Sequence, residues 1–201
     1  QLQQRRYSDK LDKDANEFID YAVGGARRLD NMTNDLLLYS RINSKKPDIT
    51  MINFEDALEI ALLNLKVPIE KSKAIITHDN LPTLLADEKL NVQLFQNLIG
   101  NSIKYRSNKH PEVHVSAKKE KNQYIFSVSD NGMGIDSKHL KKIFTIFQRL
   151  HTHEEYDRTA IGLAICKKIV EEQGGKIWAE SEIGKGTTFY FTIPVNKPRS
   201  E

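Results

Sequence analysis

The sequence predicts an α+β protein: helices layered on a mostly hairpin-connected sheet, a two-layer sandwich, with one long helix in front. Three observations carry this. Residues 12–42 repeat apolar side chains at helical spacing, whereas residues 113–128 and 176–194 alternate them with period two. Glycine pairs and an Asn-Gly step punctuate the junctions between those stretches.

The first helix is a heptad. Phe18, Ala22, Gly25, Leu29, Met32, Leu36 and Tyr39 advance by alternating steps of four and three, the seam of a coiled coil or bundle. Ile19, Ala26, Leu37 and Ile42 widen that stripe, which favours a bundle of more than two helices. Residues 1–7 read as the end of a preceding helix and Ser8 to Leu11 as the turn. Such a stripe needs a partner, either a missing first helix or a second chain. The polar NSKKPDIT at 43–50 reads as a linker. Beyond it a helix is expected from Phe54 to Leu65, a short strand from Ala74 to Thr77 and a second helix from Glu88 to Tyr105. Two alternating strands follow, Val113, Val115 and Ala117 on one face, then Tyr124, Phe126 and Val128, joined by a polar loop at 121–123. A third helix runs from Ile161 to Glu172, where Gly174-Gly175 stops it. Strands at 176–181 and 187–194 close the domain around a glycine turn at 184–186. The division expected is 1–46 for a helical unit and 47–201 for the sandwich.

Composition excludes several classes. Lys and Arg total 30 against 27 acidic residues, a net charge of +3, too small and too evenly spread for the basic stripe of a nucleic-acid binder. No stretch approaches the roughly 18 apolar residues of a membrane span, so neither nucleic acid nor membrane is an expected partner. The single cysteine, Cys166, excludes an internal disulfide, reads as a small buried hydrophobe, and fits a reducing, cytoplasmic setting. The chain opens on Gln1 inside a helical pattern and reads as a piece of something longer.

Four stretches carry chemistry. Asp130-Asn131-Gly132-Met133-Gly134-Ile135 follows a strand; its glycines permit a tight turn and close backbone approach to a ligand, and its carboxylate can accept from an exocyclic amine. On the helix before it, Asn97, Asn101 and Lys104 share a face by spacings of four and three, with Leu94, Leu98 and Ile99 toward the core. An amide oxygen is a hard ligand suited to Mg²⁺, which takes few protein groups beside phosphates and water, and a lysine one turn later suits phosphate charge. Phe144 to Leu150 leads through a polar segment into Ile161-Gly162-Leu163, where a glycine at a helix start favours an anion. Gly184-Lys185-Gly186-Thr187 reads by itself as an ordinary glycine-rich turn. The plainer readings of the others are an Asn-Gly turn, a solvated helix face and aromatic core.

The order of these elements carries a resemblance. NLIGNSIKYR, DNGMGI, FTIFQRLH, IGLAICKKIVEEQGGKI and GKGTTFYFTIP resemble the asparagine box, first glycine box, phenylalanine box, second glycine box and final strands of sensor histidine kinases. ADEKLNVQLFQ matches the approach to the asparagine box, and YAVGGARRLDNMTNDLLLYSRI is similar to the second helix of the kinase dimerisation domain. The resemblance implies the sandwich of the histidine kinase, gyrase and chaperone ATPases, with ATP and Mg²⁺ as cofactors. It implies Asp130 on the adenine amino group, Asn101 on Mg²⁺, and Lys104 and Tyr105 toward phosphate and lid. Asn97, Gly132, Gly134, Ile135, Gly162, Leu163 and Thr187 complete the matched positions, Asn97 and Lys104 being the candidate catalytic pair. Where the gyrase-like ATPases resemble a glutamate that activates water, Asn97 has no basic carboxylate, which favours transfer to a protein over hydrolysis. The implied partners are a second copy through the bundle and the receiver domain of a response regulator.

Two features depart from the family. None of the six histidines (His78, His110, His114, His139, His151, His153) has the context of a phosphoacceptor. In the lid, Arg158-Thr159-Ala160 stands where the family has Gly-Thr-Gly. Side chains there obstruct the approach of backbone amides to phosphate, or else Arg158 pairs with it. The alternative function is therefore a degenerate nucleotide-binding or scaffolding domain with an impaired lid.

Overall fold

The computed structural model describes residues 12–44, 46–146 and 161–195. The expectations for residues 1–11, Phe147, His151, His153 and the lid residues Arg158, Thr159 and Ala160 lie outside them. In chain order the elements are α1 (Lys13–Ser44), β1 (Thr50–Asn53), α2 (Phe54–Asn64), α3 (Lys66–Ser72), β2 (Ile75–His78), β3 (Thr83–Ala86), α4 (Glu88–Lys104), β4 (Glu112–Glu120), β5 (Gln123–Asp130), a 3-10 turn at Ser137–His139, α5 (Gly162–Glu172), β6 (Ile177–Glu182) and β7 (Gly186–Pro194).

Five strands form one sheet in the order β2-β4-β5-β7-β6, and β1 pairs with β3 as a separate two-stranded sheet. The period-two pattern sets the register. Ala117 lies opposite Phe126 and Val115 opposite Val128, while Phe126 faces Phe191 and Val128 faces Phe189. One sheet face is therefore continuously apolar, and α2, α4 and α5 cover it. Four fully buried rings hold the layers together. Phe126 stacks on Phe191 with centroids 4.8 Å apart, and Phe54 of α2 lies 4.6 Å from Phe126. Phe95 of α4 meets Phe54 and Phe191 edge-on at 6.3 and 6.0 Å. Edge-on and offset pairs suit the ring quadrupole and add to the burial itself.

Several expectations need correction. The stretch read as a linker is shorter: α1 runs to Ser44 and β1 starts at Thr50. Two strands and a helix went unread, β1, β3 and α3. The strands are four residues each, too short to show a period. The sheet is mostly hairpin-connected as expected, with one parallel pair, β2 and β4, in which Ile76 lies opposite Val113. The β4–β5 loop is only Lys121-Asn122, with Lys121 left-handed at φ 50° and Gln123 already in β5.

A buried polar junction fastens the helices to the chain entering the sandwich. Asp87 caps α4 by accepting from Leu90 N–H at 3.1 Å, which satisfies an orphan donor of the first turn. Its other oxygen accepts from Asp48 N–H at 2.8 Å. Gln173, just past α5, accepts from Asp87 N–H at 3.1 Å and from Asn91 Nδ2 at 2.8 Å. Asn91 Oδ1 is buried without a hydrogen-bond partner.

Helix α1 divides along its length. Ile42 belongs to the sandwich core, and Met32, Leu38 and Tyr39 pack against it, where the last turns of α1 meet α5. Further up, the seam is open: Phe18 is 74% exposed and Leu29 68%. Leu38, which falls outside the predicted stripe, is used because the end of α1 packs on its own sandwich rather than on a continuing bundle.

Candidate functional site

Asp130, the last residue of β5, is the centre of a stitched turn. Its Oδ1 accepts from Gly132 N–H at 2.9 Å and Thr187 N–H at 3.1 Å, and its Oδ2 accepts from the Ser102 hydroxyl at 2.8 Å. Three donors from the following turn, from β7 and from α4 thus converge on one carboxylate. Burial pushes its pKa up, while the bonds from Gly132, Ser102 and Thr187 pull the other way without cancelling it. Oδ1 already takes two of these bonds and Oδ2 only one, so Oδ2 keeps an acceptor site and the group suits a neutral donor such as an amine. A like-charged ligand would be repelled.

Two glycines make this turn possible. Gly134 is left-handed at φ 73°, and a Cβ there would lie 2.1 Å from Glu182 O. Gly186, at φ 111°, lets β7 pass Asp130, where a Cβ would come within 1.9 Å of Asp130 O. The last glycine turn is thus more than the ordinary hairpin read from the sequence, because it brings Thr187 N–H onto Asp130. Ile135 N–H donates to Ser181 Oγ at 2.8 Å. Ser181 in turn bonds Gly186 O and Thr187 Oγ1, so the turn is anchored on β6 as well.

Helix α4 spans the site. Its C-terminal end meets the Asp130 turn, where Met133 N–H donates to Tyr105 O at 3.0 Å. The Lys104 ammonium lies over the Tyr105 ring, 4.9 Å from its centroid, a cation–π contact. Eight residues back, about 12 Å along the helix axis, Asn97 meets the start of α5, its Nδ2 donating to Gly162 O at 3.4 Å. Gln93 Nε2 donates to Asn97 Oδ1 at 3.2 Å. Asn101 lies between these two ends, half-buried on α4, and Leu163 is half-buried in the first turn of α5. The structure therefore gathers the predicted residues into two clusters on one helix. Asp130, Gly132, Gly134, Ile135, Thr187 and Tyr105 form one, and Asn97 and Gly162 the other.

Sequence reasoning missed Ser102, Ser181 and Gln93. Ser102 is next to Asn101 but on the buried side of α4, and it reaches a carboxylate 28 residues away, a pairing no periodicity announces. Gln93 stands four residues before Asn97, the spacing of a side-chain pair on one helix face. Cys166 is buried as expected, and burial pushes its thiol up to about 12 although the Asn97 side chain bonds it. Phe144 packs edge-on against Phe189 at 6.4 Å, the core role read for it.

A cavity of about 300 Å³ lies elsewhere, between α1 and α5, lined by Tyr39, Phe144, Ala164, Lys167 and Lys168 among others. Its two lysines are paired with Glu171 and Glu172, so it offers no free cation to a ligand. Among the described residues, no three His, Cys, Asp or Glu side chains gather as a metal cage, and no helix is long and apolar enough to cross a membrane.

A family model described as histidine kinase-, DNA gyrase B- and HSP90-like ATPase matches residues 86–197, which takes in both clusters. The chain belongs to that family. Among curated relatives, cyanobacterial phytochrome A of Nostoc is 50% identical over 195 residues, 97% of this chain and 26% of that protein. The methanogenesis regulatory histidine kinase FilI of Methanothrix harundinacea is 31% identical over 169 residues, 83% of this chain and 19% of the relative. The chain thus spans about a quarter or less of these relatives. Among solved structures, the catalytic domain of histidine kinase ThkA is 26% identical with a TM-score of 0.63, covering 74% of this chain and 96% of that domain. Full-length ShkA, solved with AMPPNP, shares the fold at 23% identity and a TM-score of 0.74, covering 96% of this chain and 42% of its own.

Proposed function

We propose that this chain is the catalytic module of a sensor histidine kinase, binding Mg-ATP and passing the γ-phosphoryl group to a histidine on a dimerisation helix outside it, for relay to a response regulator receiver domain. The observation that carries this reading is Asp130, a half-buried carboxylate held by Gly132, Thr187 and Ser102 with an acceptor site left on Oδ2 for the adenine amino group. Asn97 supports transfer rather than hydrolysis, since an amide cannot deprotonate water. The ThkA and FilI likenesses point to the same chemistry, and the nucleotide in ShkA is what the proposed site would receive.

Asn101 and Lys104 fit the phosphate end. With no acidic cage among the described residues, a cation would take its remaining ligands from phosphate and water, as Mg²⁺ does beside one amide oxygen. When bound, Mg²⁺ neutralises charge on the transferring phosphoryl group. Residues 1–46 are the proposed helical unit, a homodimer contact in the longer protein, and residues 47–201 the catalytic unit. A cytoplasmic setting belongs to the same proposal.

Calorimetric titration tests it. Asp130→Ala is expected to weaken ADP and ATP alike by about 10- to 150-fold, the loss of a bond to a charged group. Asn101→Ala is expected to remove the Mg²⁺-dependent part of ATP affinity and leave metal-free ADP binding in place. A supplied bundle bearing the acceptor histidine should gain acid-labile phosphate, and the chain alone should gain none. Unchanged affinity in Asp130→Ala would overturn the adenine assignment. The degenerate-scaffold reading rests on Arg158 and Ala160. It predicts that Arg158→Gly with Ala160→Gly tightens ATP more than ADP.

A further inference from the structure

We propose that Gln93 is a positioning residue for phosphoryl transfer, acting by holding the Asn97 amide in the orientation that the Gly162 carbonyl selects; this rests on the function proposed above. The two ends of an asparagine amide have nearly the same shape and opposite chemistry, one a donor and the other an acceptor. Which end points where decides what Asn97 offers a ligand. The neighbour on α5 settles it, and the one on α4 holds the result. The Gly162 carbonyl accepts only, so the end 3.4 Å from it is Nδ2. Gln93, one turn earlier on α4, brings Nε2 to 3.2 Å from the other end, where only Oδ1 accepts. Inverting the amide would set Oδ1 against the Gly162 oxygen, two acceptors facing each other.

In this orientation the nitrogen end of Asn97 is turned to α5, and its carbonyl keeps one lone pair beyond the bond from Gln93. Asn97 therefore presents an acceptor to whatever occupies the site, suited to a hydroxyl or a water. The plain competing view is that Gln93 and Asn97 are an i,i+4 pair that only steadies the helix. That view predicts an effect on stability which does not depend on what Asn97 does.

A double-mutant cycle separates the two, using the whole chain with a supplied bundle carrying the acceptor histidine. Gln93→Met keeps length and removes the donor. The expected result is a fall in the transfer rate at saturating ATP of about 3- to 10-fold, the range of one neutral hydrogen bond, with ADP affinity within about twofold of wild type. In an Asn97→Ala background, Gln93→Met should change the rate no further. Equal losses in both backgrounds, a parallel loss of ADP affinity, or no loss in the wild-type background would each overturn the proposal. Should Asn97→Ala leave too little turnover to measure, the Asn97 side-chain amide resonances decide. They are expected to move in Gln93→Met while the backbone amides of α4 stay in place, and unmoved resonances reject the idea. A wild-type chain that binds no ATP would instead sink the function proposed above, and the resonance measurement would still stand.

Discussion

The N-terminal half of α1 and the sandwich treat apolar side chains in opposite ways. Phe18, Tyr21 and Leu29 stand out from α1 into solvent, whereas Phe54, Phe95, Phe126 and Phe191 are wholly enclosed by helices and sheet. An enclosed ring contributes to the stability of this chain on its own. An exposed heptad seam contributes only when something is laid against it, because burial rather than hydrophobicity supplies the free energy. The enclosed rings thus stabilise the chain as it stands, and the exposed seam does not.

The largest expected effect lies in the enclosed cluster. Phe126→Ala removes a ring that touches Phe54 and Phe191 and should cost about 3–5 kcal/mol in chemical denaturation. Leu29→Ala, with less to lose, should stay within about 0.5 kcal/mol for the monomer, while weakening self-association measured by sedimentation. A comparable stability loss from both changes would show that the seam is not free in the monomer.

An intermediate effect is expected at Asp130, where the sandwich departs from its own rule by burying a charge. Its pKa is raised above 3.8 by burial, so the folded state holds the proton more tightly than the unfolded chain does. The stabilisation from protonation is complete below about 3.8 and is lost as pH rises through the elevated value. At neutral pH, ionised Asp130 therefore works against folding. Asp130→Asn keeps an oxygen for Gly132 and Thr187 and should raise Tm at pH 7, by an amount that shrinks as pH is lowered towards 5. It should weaken nucleotide binding at the same time, because an amide nitrogen takes the place of an acceptor.

The smallest effect belongs to Cys166. With its thiol pushed up to about 12 and no exposed surface, it should resist a thiol reagent at pH 8 in the folded chain and react fully once unfolded. Fast modification of the native protein would show that α4 and α5 part readily.

How much of this was legible follows from where the information sits. The register of β4 on β5 could be read because Val113, Val115 and Ala117 face Asp130, Val128 and Phe126 at a spacing written into both strands. The β2–β4 pairing could not, since a parallel neighbour 37 residues away, as Ile76 is from Val113, leaves no local mark. In the site, Asp130 and Asn97 announced themselves through motif and face. Ser102 and Gln93 did not, because each acts through one partner and neither residue type is rare on a helix.

The bond from Asp48 to Asp87 also sets a length. Helix α1 ends at Ser44, and from there to the pinned Asp48 only three residues intervene. Four fully extended Cα steps reach about 14 Å. Pro47 fixes its own φ and biases Lys46 towards an extended backbone, so part of that reach is already taken up. Any swing of the sandwich about α1 must pass through this short joint. Turning requires Ile42, Leu38 and Tyr39 to leave their packing on the sandwich, and drifting away is prevented by the joint itself. A sandwich on such a leash stays within a small arc of α1, and the arc can be lengthened one inserted residue at a time.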